Sequence, residues 1–158
     1  MKEFAILMDN ISKAISKLPP KIATEAVNFS KERFVKQNWD NKAWEPRSRR
    51  RRGGEKRQNG AILVDSGRLK RAIRKKLISP TKIIIGVDVP YAEAHNEGLD
   101  KVIKIKAHNR KSRKGRVYKV KSHSRDAKLP QRRFMGESEE LNTRIEKLIV
   151  RDIENAAR

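Results

Sequence analysis

Two segments hold nearly all of the excess positive charge of this 158-residue chain. Residues 47–60 carry seven basic groups against one acidic, and residues 101–133 carry fourteen against one. Together they supply +19 of a formal net charge of +21. Like charges at that density repel one another and resist burial, so neither segment belongs in a core. The remaining three stretches, 1–46, 61–100 and 134–158, are close to neutral and amphipathic. They read as a scaffold from which the charged segments hang as loops or arms. Hydrophobic residues are 36% of the chain, below the roughly 45–50% usual when glycine is counted in, so the core is modest. The length fits one domain. The expectation is a single domain over 1–158, with basic flexible loops at about 47–60 and 107–128.

Composition removes several function classes. There is no cysteine, which excludes disulfides, thiol catalysis and thiolate metal sites. No apolar run reaches the roughly 18–20 residues of a membrane span, so no membrane partner is expected. The apolar stretch near Met1 is too short and interrupted for a signal peptide. The reading is a soluble, intracellular protein.

Periodicity places the elements. Phe4, Leu7, Ile11, Ala14, Ile15 and Leu18 recur at helical spacing. Pro19-Pro20 should stop that helix, with Pro20 opening a second one to about Gln37 that buries Ile22, Ala26, Phe29 and Phe34. Trp39 and Trp44 sit in a polar loop and need burial. Asp65 or Ser66 should cap a short helix burying Leu69, Ala72 and Ile73. Residues 74–78 and 82–87 read as strands about Ser79-Pro80-Thr81, the run Ile83-Ile84-Ile85 being β-branched throughout. Pro90 opens a helical turn closed by Gly98. Val102, Ile103 and Ile105 suggest a third strand, Arg110 to Gly115 a hairpin tip, and Val117, Tyr118 and Val120 a returning strand. A final helix begins near Ser138 with acidic residues in its first turn, as the helix dipole favours, and buries Leu141, Ile145, Leu148, Ile149 and Ile153. No internal repeat is expected. The fold class is α+β: N-terminal helices, a small mainly antiparallel β-sheet with a basic hairpin, and a long C-terminal helix.

No arrangement for catalysis emerges. His95 lies between Glu93 and Glu97 but points away from their shared face, so it reads as a packing residue rather than a metal ligand. His108 and His123 flank the basic hairpin and could pair across it, but read better as solvated. Ser66 has no base within sequence reach. Magnesium held by Asp65, Asp88, Glu93, Glu97 and Asp100, as in a nuclease, would require those residues to converge. No nucleotide-binding glycine loop or metalloprotease motif is present. No catalytic, cofactor or metal site is therefore assigned, and no enzyme is expected. The basic tracts leave two readings open: contact with nucleic-acid phosphates, or docking on an acidic partner. Only Tyr118 interleaves them, so any nucleic-acid contact should address the backbone without sequence preference. The contact residues are Arg49, Arg50, Arg51, Arg52, Arg110, Lys111, Arg113, Lys114 and Arg116.

Several segments resemble one known family. They are Leu63-Val64-Asp65-Ser66-Gly67-Arg68-Leu69, Ile85-Gly86-Val87, Pro90-Tyr91-Ala92-Glu93-Ala94-His95-Asn96-Glu97-Gly98 and Pro130-Gln131-Arg132-Arg133-Phe134-Met135-Gly136. With Trp44-Glu45-Pro46 ahead of them, their order resembles the virion morphogenesis (tail completion) family of Mu-like and P2-like tailed phages. Ala72 stands where that family often has Ser, and Asn96 where it often has Gln. The resemblance implies a structural protein acting in tail completion or head–tail joining, as a ring of subunits. Its partners would be other tail or neck proteins and copies of itself. It would work in the host cytoplasm and then in the virion, at the tail end or neck. Trp44, Tyr91, His95 and Phe134 become packing or interface anchors, and the basic segments arms that grip neighbours or line a DNA passage. The alternative is a non-specific nucleic-acid-binding protein using those arms.

Overall fold

A computed structural model describes residues 2–46 and 60–158. The expected basic loop from Arg47 to Asn59, with contact residues Arg49 to Arg52, lies outside them. Helix α1 spans Lys2–Lys36 and leads into a miniature hairpin, β1 (Asn38–Trp39) and β2 (Lys42–Ala43). Helix α2 (Arg68–Ala72) runs into an antiparallel pair, β3 (Ile73–Ile78) and β4 (Ile83–Val87). Helix α3 is a short turn, Ala92–Asn96. Strands β5 (Leu99–Ile105), β6 (His108–Lys111), β7 (Val117–Val120) and β8 (His123–Leu129) follow, and α4 (Glu139–Ala156) closes the chain.

The α+β class is as expected, but two features differ from the sequence reading. First, α1 is one helix of 35 residues that passes through Pro19 and Pro20. A proline inside a helix removes an N–H and costs about 3 kcal/mol or more. Here the carbonyls deprived of a donor belong to Ile15 and Ser16, both exposed, so water can take their place. Second, there is no single sheet among the described residues. The strands form separate two-stranded ladders, β1–β2, β3–β4, β5–β8 and β6–β7.

The core gathers on the second half of α1. Val27 and Phe34 pack with Trp44, Leu69, Ile73, Val89, Ala92 and Phe134. Phe34 meets Trp44 edge-on at 5.7 Å and Phe134 at 5.2 Å. Aromatic pairs of this kind contribute about 0.5–1.5 kcal/mol beyond area burial. The β3–β4 pair lies against α1, with Ile73 buried and Leu77, Ile78 and Ile84 exposed toward the far end.

Helix α4 runs antiparallel to α1. Its N-cap is Ser138, whose hydroxyl accepts from Leu141 N at 3.2 Å and donates to Asp40. The five apolar residues expected to be buried on α4 are each half-buried, none fully. Charge supplies much of the join. Arg33, wholly inaccessible to solvent, reaches Glu140 at 2.8 Å, Glu32 at 3.3 Å and Asn38 at 3.3 Å. Its guanidinium lies 4.1 Å above the Phe29 ring, and Trp39 stands edge-on to that ring at 5.6 Å. Arg144 bonds Glu32 at 2.8 Å and Glu140 at 2.6 Å. Hydrogen bonds from Arg144, then Lys36, lower the Glu32 carboxyl to about 2. Lys21 with Asp152 at 2.5 Å fixes the other end of the packed region.

That pairing also defines an overhang. With Arg33 opposite Glu140 and Lys21 opposite Asp152, α4 ends near the level of Lys17. The first four turns of α1, about 22 Å at 1.5 Å per residue, continue past it. Of the apolar stripe expected there only Leu18 is buried, and Phe4 is 68% exposed.

The buried Arg33 gives a test. Arg33→Ala should cost about 3 kcal/mol, because it removes the centre of a buried ion cluster together with its packing on Phe29. Lys13→Ala, which breaks an exposed pair with Asp9, should cost under about 0.5 kcal/mol. Denaturant unfolding of the two variants measures both.

Candidate functional site

The family-like segments converge on one junction beside the core. Trp44 is buried, and its indole N–H donates to the Arg133 carbonyl at 2.8 Å. Arg132 lies 7% exposed; its Nε donates to the Glu45 carbonyl at 3.0 Å and its Nη2 to that of Pro46 at 3.4 Å. The Arg132 backbone N–H donates to the His95 carbonyl at 2.8 Å. The segments around residues 44–46, 91–98 and 130–136 are thereby tied together before Phe134 enters the core.

Asn96 locks this junction. Its Oδ1 accepts from the backbone N–H groups of Phe134 and Met135, each at 3.0 Å. Its Nδ2 donates to the Met135 carbonyl at 3.0 Å and to Glu97 at 2.5 Å. One side-chain amide thus satisfies both polarities of a turn leading into the core. Gly98, at φ +81°, lies against the returning chain: a Cβ there would stand 3.1 Å from Gln131 N and 3.2 Å from the Leu129 carbonyl. Only glycine meets both conditions without strain.

A cleft of about 440 Å³ opens beside the junction, lined by residues 62–69 with Tyr91, His95 and Arg132. The expected side-chain cap of α2 is replaced by Gly67 in the left-handed region at φ +71°. The Ser66 hydroxyl accepts from Arg68 N at 3.4 Å, and its carbonyl accepts from Arg71 Nη2 at 2.8 Å. Tyr91 stands at the rim, 40% exposed, edge-on to His95 at 6.0 Å. The His95 Nδ1 is enclosed and has no hydrogen-bond partner among the described residues. Burial, and then the positive charge of Arg132, hold the His95 imidazole below its ordinary range.

The other candidates separate. No group of three or more metal-ligating side chains occurs among the described residues. Asp88 is held by Lys76 and by Arg74 at 2.7 Å, which keep its carboxyl below the ordinary aspartate range, and Asp100 by Lys128 at 3.0 Å. The nuclease constellation is not assembled. His108 and His123 do not pair: His108 stands opposite Val120, and His123 opposite Ile105. Arg110, Lys111, Arg113, Lys114 and Arg116 all lie at the turn end of the β6–β7 hairpin, and none of them lines the cleft. Segment 107–128 holds the expected basic hairpin, with β7 at the expected returning strand, and β8 as a further strand. Sequence reasoning missed Asn96 and Arg132 as fastening residues. Their only signal was their place inside two of the family-like segments.

The fold and this junction define a structural scaffold with projecting elements. The chain belongs to the phage virion morphogenesis family, whose model matches residues 2–154, nearly the whole length. That membership gives it a structural role in building a virion. No curated protein and no solved structure matches it. No helix among the described residues is long and apolar enough to cross a membrane.

Asn96→Ala should cost about 2 kcal/mol, because two part-buried backbone donors lose their acceptor; calorimetric melting would show it. The His95 shift sets a pH dependence. Folding lowers its pKa from 6.5, so the unfolded chain binds the additional proton. This contribution is fully present above the unfolded value and is lost as pH falls toward the folded one. His95→Gln should therefore lose less melting temperature than wild type between about pH 7.5 and about pH 5.5.

Proposed function

We propose that this protein acts in tail completion or head–tail joining, as one subunit of a homo-oligomeric ring in contact with other tail or neck proteins. Family membership supplies the context. The observation that carries the reading is the pair of long elements left without cover. The first turns of α1 expose Phe4, Ile6, Met8 and Ile15 along about 22 Å, and the β5–β8 ribbon stands clear of the core. A chain with so few apolar residues gains by keeping them inside, so an apolar helix end held in water marks a contact surface. A ring requires heterologous contacts that close by rotation. An arm leaving one side of a compact body and docking on the next supplies such a contact. In this reading Trp44, His95 and Phe134 hold the body rigid while Tyr91 faces a neighbour. The protein acts in the host cytoplasm during assembly and then in the virion, at the tail end or neck, and has no catalytic role.

The test is electron microscopy of particles made without this gene. Separate filled heads and tails, or tails of uncontrolled length, are the expected outcome; normal joined virions would refute the role. Complementation with Arg49, Arg50, Arg51 and Arg52 replaced by serine should yield a folded protein that restores joined particles less efficiently than wild type. Equal restoration would remove this tract from the assembly contacts.

A further inference from the structure

The β5–β8 and β6–β7 ladders follow one another in a single register, joined by two-residue links at 106–107 and 121–122, and together form a two-stranded ribbon. Leu99 stands opposite Leu129, Ile105 opposite His123, His108 opposite Val120 and Lys111 opposite Val117. Between the two ladders each strand advances three residues, so neither gains nor loses one and the register is unchanged. The ribbon spans thirteen residues on each side, eleven of them in the ladders, which at 3.4 Å per residue gives at most about 44 Å. It carries twelve Lys and Arg against two Asp, and one of these, Asp100, is paired with Lys128.

Contrary to the sequence reading, this segment contains an internal repeat. Val102-Ile103-Lys104-Ile105-Lys106-Ala107-His108-Asn109-Arg110 recurs as Val117-Tyr118-Lys119-Val120-Lys121-Ser122-His123-Ser124-Arg125. The two copies share conformation as well as composition. His108 Nδ1–H donates to the Lys106 carbonyl at 3.0 Å, and His123 Nδ1–H to the Lys121 carbonyl at 3.0 Å.

The spacing of the repeat has a geometric consequence. Opposed residues of an antiparallel pair share a face, and successive residues alternate. Lys104 stands opposite Ser124 and Arg110 opposite Tyr118, whereas Arg125 stands opposite Ile103 and Lys119 opposite Asn109. Within the ladders the first copy therefore sets Lys104, His108 and Arg110 on one face and the second sets Lys119, His123 and Arg125 on the other, with Lys106 and Lys121 in the two-residue links between ladders. The ribbon has no apolar face to bury; it presents the same basic row twice, back to back.

A partner for such an element must be polyanionic and must meet it from both sides. A second copy of the ribbon, with the same twelve Lys and Arg against two Asp, would repel it. Same-face residues recur about every 6.8 Å along a strand. A DNA strand advances about 3.4 Å per phosphate along its axis, so the cation period spans two phosphates. The major groove admits a two-stranded ribbon, and a sugar–phosphate backbone runs along each of its edges. We propose that residues 99–129 enter a DNA groove edge-on, with one basic row against each backbone and no reading of sequence. This goes beyond the assembly role: a chain that joins heads to tails without binding DNA would overturn this inference alone.

The experiment uses the full chain and short duplexes of unrelated sequence, with affinity followed by fluorescence anisotropy as salt is raised. One variant carries Lys104→Ser, Lys106→Ser and Arg110→Ser; the other carries Lys119→Ser, Lys121→Ser and Arg125→Ser. Each should reduce the slope of log affinity against log salt by roughly 2 to 3, at about 0.9 per lost phosphate contact. The two reductions should match, and sequence should make no difference. A charge-preserving control, Lys104→Arg, Lys106→Arg and Arg110→Lys, should bind as wild type, which separates lost charge from a damaged ribbon. Loss confined to one variant would overturn the two-faced mode. No change in either, or no DNA binding by wild type, would overturn DNA as the ligand.

Discussion

The core of the described residues centres on three aromatic rings drawn from distant parts of the sequence. Phe34 comes from a helix, Trp44 from the loop after it, and Phe134 from a segment ninety residues further on. With only 36% hydrophobic residues, the chain cannot spread its apolar burial over several layers. It concentrates it at this contact and holds the approaches with polar bonds. The Trp44 indole on Arg133, the Asn96 amide across Phe134 and Met135, and Arg132 on Glu45 and Pro46 each anchor backbone that would otherwise lack partners. Buried close to this contact, Arg33 does for the two long helices what apolar packing does in richer sequences.

Much of this was legible in the residues. Ser138 with its acidic first turn marked the start of α4, because a cap and a dipole are local signals. The run Ile83-Ile84-Ile85 announced β4, and Pro90 with Gly98 bracketed α3. Four family-like segments gave both the fold and the virion role. The failures share one cause. Whether Pro19-Pro20 ends a helix depends on whether the orphaned carbonyls meet water. Whether Arg33 is buried depends on Glu140, far along the chain. The role of Asn96 lies in bonds to residues 134 and 135. None of these has a period or a neighbour to reveal it. The repeat in the ribbon was written in the sequence, but alternating strands mix its basic and apolar positions, which hides it from a search for larger units.

Taken together, the structure divides its labour. A small, densely bonded body sets geometry, while an uncovered helix end and a charged ribbon extend from it. Several carboxylates of the body are held in ion pairs: Glu32 and Glu140 by Arg33 and Arg144, Asp88 by Arg74 and Lys76, Asp152 by Lys21. The ribbon, residues 99–129, carries twelve Lys and Arg against two Asp.

Gly98 gives the ribbon a mechanical character. Both strands leave the body at one narrow root, where Gly98 lies against Gln131 and Leu99 stands opposite Leu129. A ribbon rooted at one end acts as a lever. Turning the root by about 10° would carry a tip about 44 Å away through about 8 Å, roughly the distance between neighbouring packed helices. Small adjustments of a few backbone angles could therefore let one rigid body meet binding surfaces at different distances, without any change in its core.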